Sequence, residues 1–184
     1  MTATVHPTRL FVYTLRLGQA NHARFCANAT DIVPAITWGR LYALDLGFPA
    51  LEVSAGHILA QGSDDPLADA ATQVGWPEVR LERSEGDWDL IEAELMTFAN
   101  PGWDLPPIDG LEGFRTTGHC LYRRVLVPVQ CEARSVPAWT YDATLLSGRG
   151  ARVQTWPADA PWRSPHLPRG VRRKVTGAAG TAIL

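Results

Sequence analysis

The stretch Arg9-Leu10-Phe11-Val12-Tyr13-Thr14-Leu15-Arg16-Leu17-Gly18-Gln19-Ala20-Asn21-His22 opens the fold. Its first five residues are mostly apolar, with a β-branched valine and two aromatics, as in a buried strand. Gly18 breaks that run. The alanine-rich segment from Gln19 to Ala29, with Asn21 and His22 near its start, predicts a short helix.

Working outward, Thr37 to Leu44 predicts a second strand, and Gly47 to Leu51 a turn leading into another extended piece. Gly62-Ser-Asp-Asp-Pro66 is turn chemistry, and Pro66 to Val74 predicts a short helix with proline at its first position. Glu78 to Asp89 is densely charged. The whole of 60–88 therefore reads as a surface insertion without enough periodic apolar residues for its own core. Leu90 to Phe98 alternates with period two, which favours a strand. Asn100 to Pro107 predicts a loop, and Ile108 to Phe114 a short turn or helix carrying two acids. Leu121 to Cys131 is the strongest strand signal. Pro128 within it predicts an edge or a bulge. Pro137 to Ala143 supplies a last strand.

These elements bound one domain over 1–155. From 156 to 184 prolines recur at 157, 161, 165 and 168 among Arg163, Arg169, Arg172, Arg173 and Lys174, which predicts a mobile tail. The chain has 184 residues, 46% hydrophobic and 20% charged, with a net charge of −2. That composition fits a globular protein and excludes a global electrostatic argument for nucleic acid or an anionic membrane. No apolar run approaches a membrane span, and the polar segment Met1 to Arg9 lacks a signal-peptide core. The expected location is cytoplasmic, with no nucleic-acid and no membrane partner. The three cysteines, Cys26, Cys120 and Cys131, show no C-x-x-C spacing, and the five histidines show no metal-ligand spacing. No metal and no cofactor are expected.

Three local signals, in order, carry chemistry. The first is the opening stretch around Tyr13-Thr14-Leu15-Arg16. The second is Gly39-Arg-Leu-Tyr42 followed by Gly47-Phe-Pro-Ala-Leu51. The third is Leu105-Pro-Pro-Ile-Asp109-Gly-Leu-Glu112-Gly-Phe114, with Tyr122-Arg123-Arg124 and Ala138-Trp-Thr-Tyr141 after it. On the segment alone, Asp109 and Glu112 are read in two ways. They are helix-start acids that stabilise a terminus, or they include a working carboxyl desolvated by Ile108, Leu111 and Phe114.

The series resembles the γ-glutamylcyclotransferase-like family, from about Arg9 to Asp142 without the charged stretch near 60–88. The resemblance implies an α+β fold, a small mixed β-barrel with flanking helices. It implies an acyltransferase- or lyase-type enzyme that cyclises a small-molecule γ-glutamyl amide or peptide to 5-oxoproline and frees an amine. It places the catalytic carboxylate at Glu112 and the substrate-binding loop at Tyr13, Thr14, Leu15 and Arg16, with Tyr122 and Tyr141 as further substrate-binding positions.

One departure bears on that loop. The family's Tyr-Gly-Ser/Thr-Leu is here Tyr13-Thr14-Leu15, with no glycine between tyrosine and threonine. Glycine reaches backbone angles closed to other residues. A second expectation follows: a non-catalytic binding member of the same fold with a degenerate substrate loop. A third reading makes the basic tail an interaction segment.

Overall fold

The computed structural model describes residues 5–16, 21–45 and 47–156. Eight strands and three α-helices follow in chain order: β1 (Thr8–Val12), α1 (His22–Phe25), β2 (Ala29–Ala43), β3 (Pro49–Glu52), β4 (Ala60–Gln61), α2 (Pro66–Val74), β5 (Asp89–Phe98), α3 (Pro101–Glu112), β6 (Arg123–Cys131), β7 (Arg134–Asp142) and β8 (Ala151–Val153). The tail over 156–184 lies outside the described residues except for Trp156, which is buried.

The strand order is β3-β2-β5-β1-β7-β6-β4, with β8 on β2. The β1–β7 pair is parallel and its neighbours are antiparallel. An additional pairing, Ile36 opposite Gln130, joins β2 to β6. It closes β2-β5-β1-β7-β6 into a ring, so the expected mixed barrel is the observed one. β2 is long because it serves two ladders. Its first part pairs β5 from Ala29 to Gly39, and Arg40 to Ala43 pair β3.

Strand periodicity of two sorts the core into two bodies. Phe11, Tyr13, Ile91, Leu95, Val125, Val127 and Ala138 pack together inside the ring. Leu10, Val12, Met96, Phe98, Leu126, Trp139 and Tyr141 face outward and pack under Leu105, Ile108 and Leu111 of α3.

Four sequence expectations are corrected here. Asn100 to Pro107 is not a loop: α3 runs through it and through Pro106 and Pro107. The buried positions 101, 104, 105, 108, 111 and 112 form one helical stripe. The two inner prolines are exposed, as are Gly102 and Trp103, whose carbonyls lose their i→i+4 donors to those prolines. Facing water, those carbonyls keep a partner, which limits the usual cost of proline in a helix.

The helix expected over Gln19 to Ala29 is confined, among the described residues, to His22–Phe25. β-Branched Thr30, Ile32 and Val33 draw the chain into β2 directly afterwards. The segment 60–88 is not all surface. β4 pairs β6, and α2, with the predicted bounds and an Asp65 cap on Leu67 and Ala68, buries Asp69, Ala70 and Gln73. Pro128 lies in no exposed edge. It is buried and sits opposite Pro137 in an unbroken ladder. Its carbonyl accepts from Thr37 Oγ1 at 2.7 Å, so its N-terminal side turns away from β7 and no β6–β7 bond is lost.

Gly62 shows how tightly the β4 side is closed. Its amide donates to the Arg124 carbonyl at 2.7 Å, and an added Cβ would stand 2.9 Å from both that carbonyl and Arg124 Cβ. Gly62→Ala is expected to lower unfolding free energy by about 1–3 kcal/mol through overpacking, measured by urea denaturation. An unchanged midpoint would refute the contact.

Candidate active site

Glu112 is the last residue of α3, and Gly113 follows in the left-handed region at φ 68°. That turn ends the helix cheaply because glycine has no Cβ and aims the last side chain inward. Glu112 is only 1% exposed. Thr14 Oγ1 donates to Glu112 Oε1 at 3.2 Å. Among the described residues Glu112 Oε2 has no hydrogen-bond partner. Glu112 lines a small cavity of about 10 Å³ together with Val12, Tyr13, Thr14, Leu15, Ile108 and Tyr141.

The acids at 109 and 112 stand in the last turn of α3, not at a helix start. A carboxylate there meets the negative end of the helix dipole, so terminus stabilisation does not account for them. Burial pushes the Glu112 carboxyl up to about 8, with Asp109 adding to the rise and the Thr14 hydrogen bond opposing it. A carboxyl in that range holds and releases a proton near neutral pH. Cys26, the neighbouring thiol, is pushed up to about 12 by burial and by the Glu112 and Glu94 charges, so it is a packed neutral group and no nucleophile.

Thr14 tunes this acid. The hydroxyl favours the ionised form, so Thr14→Val is expected to raise the Glu112 titration by about one unit. Carboxyl-carbon NMR of the two proteins measures it, and an identical titration would refute the contact.

Behind Glu112 lies a charged network that the sequence reading missed. Arg124, fully buried on the outward face of β6, pairs with Asp69 of α2 and Asp109 of α3. Its guanidinium also donates to the Ser63 carbonyl at 2.9 Å and lies over the Phe114 ring at 4.8 Å. Tyr141, opposite Arg124 in the β6–β7 register, donates its hydroxyl to Asp109 Oδ1 at 2.7 Å. Burial is the largest influence on Asp109 and raises its carboxyl, while Arg124 and Tyr141 pull the other way. The expected alternation holds: Arg123 takes the opposite face of β6 from Arg124 and pairs with Asp142 at 2.5 Å.

The candidate residues separate accordingly. Tyr13, Thr14, Leu15, Tyr141 and Glu112 surround one cavity. The Tyr13 phenol itself points into the barrel and donates to the Tyr141 carbonyl at 2.9 Å. Tyr122 is fully buried, with its hydroxyl committed to the Pro49 carbonyl, and Arg16 is half-buried outside the cavity lining. Among the described residues no group of three or more acids, histidines or cysteines is placed to hold a metal ion. No helix there is long and apolar enough to cross a membrane.

No family model matches the chain, and no curated protein matches it. A solved structure, the AIG2-like protein GGACT from Mus musculus, is similar at a TM-score of 0.52 and 18% identity, over 91% of this chain and 99% of that one. The strand ring, its parallel β1–β7 pair and the covering helix are thus the γ-glutamylcyclotransferase-like fold.

Proposed function

We propose that the protein is a cyclotransferase that converts a γ-glutamyl amide or peptide to 5-oxoproline and a free amine, with Glu112 as base and then acid. One observation carries the reading. A fully buried carboxyl, one oxygen of which has no hydrogen-bond partner among the described residues, lines a cavity with Tyr13, Thr14 and Leu15 just after β1, and burial pushes it up to about 8.

The reaction asks little beyond this. Ionised Glu112 takes a proton from the substrate α-ammonium. The freed amine attacks the γ-carbonyl carbon and closes a five-membered ring. The amide C–N bond then breaks, and the departing nitrogen takes the proton from Glu112. The ring nitrogen sheds a second proton and becomes the lactam N–H, and that proton leaves the released amine as an ammonium. Nucleophile and electrophile are tethered, and effective molarities for such reactions reach about 10⁵–10⁸ M. Conformational selection of the substrate is therefore the main task of the loop. The cavity, at about 10 Å³, holds no more than a water, so substrate entry displaces Leu15 or its neighbours.

That small volume, together with the glycine missing after Tyr13, favours a second reading: a member of the fold that binds without turnover. A panel of γ-glutamyl amides and dipeptides, assayed for 5-oxoproline, separates the two. Release of product from any member supports the enzyme. A panel that stabilises the protein thermally but yields no product supports the binding protein.

A further inference from the structure

At the opposite end of the barrel, where β1 and β7 begin, the alternation that fills the interior with apolar residues fails. Arg9 shares the inward face of Phe11, Asp31 that of Ala35, and Arg134 that of Ala138, by strand period. With Glu132 they line a second cavity of about 90 Å³ floored by Val33, Leu95 and Val136. Registers confirm the place: Arg9 and Asp31 both lie opposite Thr97, and Arg134 opposite Cys131. Glu112 stands beyond the other end of β1.

Two features set this cavity apart from an ordinary barrel rim. Two cations and two anions share it, yet among the described residues none of the four forms an ion pair. Each keeps its charge available to a third party. Glu132 also holds φ at 54°, the one non-glycine residue with positive φ among those described. It occupies the first of two loop positions between Cys131 and Arg134, where glycine is favoured. An acid stands where a strained backbone argues against it.

We propose that this barrel mouth is a binding site for a free α-amino acid with a small aliphatic side chain. Arg9 and Arg134 take the carboxylate, Asp31 and Glu132 take the ammonium, and Val33, Leu95 and Val136 receive the side chain. Both ligand charges are needed, because either alone leaves one pair of side chains facing its own sign. The volume accommodates a few heavy atoms beyond the zwitterion. Mouths of β-barrels are recurrent ligand sites of this construction.

L-Valine titrated into the full chain, followed by calorimetry and thermal shift, tests the site. Saturable binding is expected, with N-acetylvaline and valinamide failing to compete. Arg134→Gln should weaken valine by about 10–100-fold, as loss of a charge-assisted hydrogen bond does. Glu132→Gly should abolish the valine response while raising the melting temperature of the free protein, since the backbone strain is relieved. No valine binding, or binding unchanged in both variants, overturns the proposal. Binding that survives these variants but is lost on blocking the Glu112 cavity would place the amino acid at the other site and overturn it equally. The proposal does not rest on cyclotransferase activity, since both variants leave the Glu112 machinery intact.

Discussion

Glu112→Gln is expected to lower kcat/KM for 5-oxoproline release by about 10²–10⁴-fold, the range supplied by a positioned acid–base group, with the fold retained. The amide matches the carboxyl in shape and keeps an acceptor for the Thr14 hydroxyl. It carries no transferable proton. Wild-type kcat/KM should climb with pH through about 8, as the free carboxyl ionises, and the residual activity of the variant should lack that limb. Full activity in the variant would remove Glu112 from the chemistry.

Stability should move the other way. The folded carboxyl titrates at about 8 against an ordinary value of 4.5. Between those values the folded protein holds a proton that the unfolded chain has released. Stability therefore falls as pH rises from about 4.5 to 8 and levels off above. At about 1.36 kcal/mol per unit, the fall attributable to this group is on the order of 3–5 kcal/mol. Glutamine has no such titration. The variant is expected to match wild type near pH 5 and exceed it by a few kcal/mol at pH 9, measured by urea denaturation at both. Parallel pH profiles for the two proteins would show that Glu112 is not buried as the structure has it. A residue whose replacement costs activity and adds stability is one kept for function.

How much of this was readable from the chain differs by element, for physical reasons. The Asp65-Pro66 pair is a local start signal, so α2 was readable to its last residue. Strand β5 announced itself by alternation, and β1, β6 and β7 by runs of apolar, β-branched and aromatic residues. α3 did not, because Pro106 and Pro107 outweigh propensity in any local reading, whereas the deciding fact is that both sit on the solvent face. The stripe at 101, 104, 105, 108, 111 and 112 was the available signal. Glu112 was singled out through the family resemblance, and its last-turn setting, which excludes the helix-start alternative, needed the helix bounds. Asp69 carried no mark of its own. Only the approach of α2 to β6 shows that it shares Arg124 with Asp109. Tyr122 and Tyr141 look alike in sequence, and register alone distinguishes them. Tyr141 stands across from Arg124, while Tyr122 precedes β6 and is sealed against Pro49.

Arg124→Met is expected to cost at least about 3–5 kcal/mol of unfolding free energy, more than any other substitution near the site. The guanidinium is fully buried and pairs with Asp69, 3% exposed, and with Asp109. Removing it strands two carboxylates in a medium that does not solvate them, and breaking a buried pair from one side is the costly way to break it. Arg124→Lys should recover only part of the loss, because one ammonium cannot reproduce a planar fork bonded to two acids and the Ser63 carbonyl. The decisive comparison is the triple variant Asp69→Asn, Asp109→Asn, Arg124→Met. If the single loss arises from uncompensated charge, neutralising both acids should restore most of it, since whole buried ion sets are often replaceable at little cost. If the loss arises instead from packing against Phe114 and Trp139, the triple variant should be as unstable as the single one. Urea midpoints for the four proteins decide between charge and packing as what holds α2 and α3 to the sheet beneath Glu112.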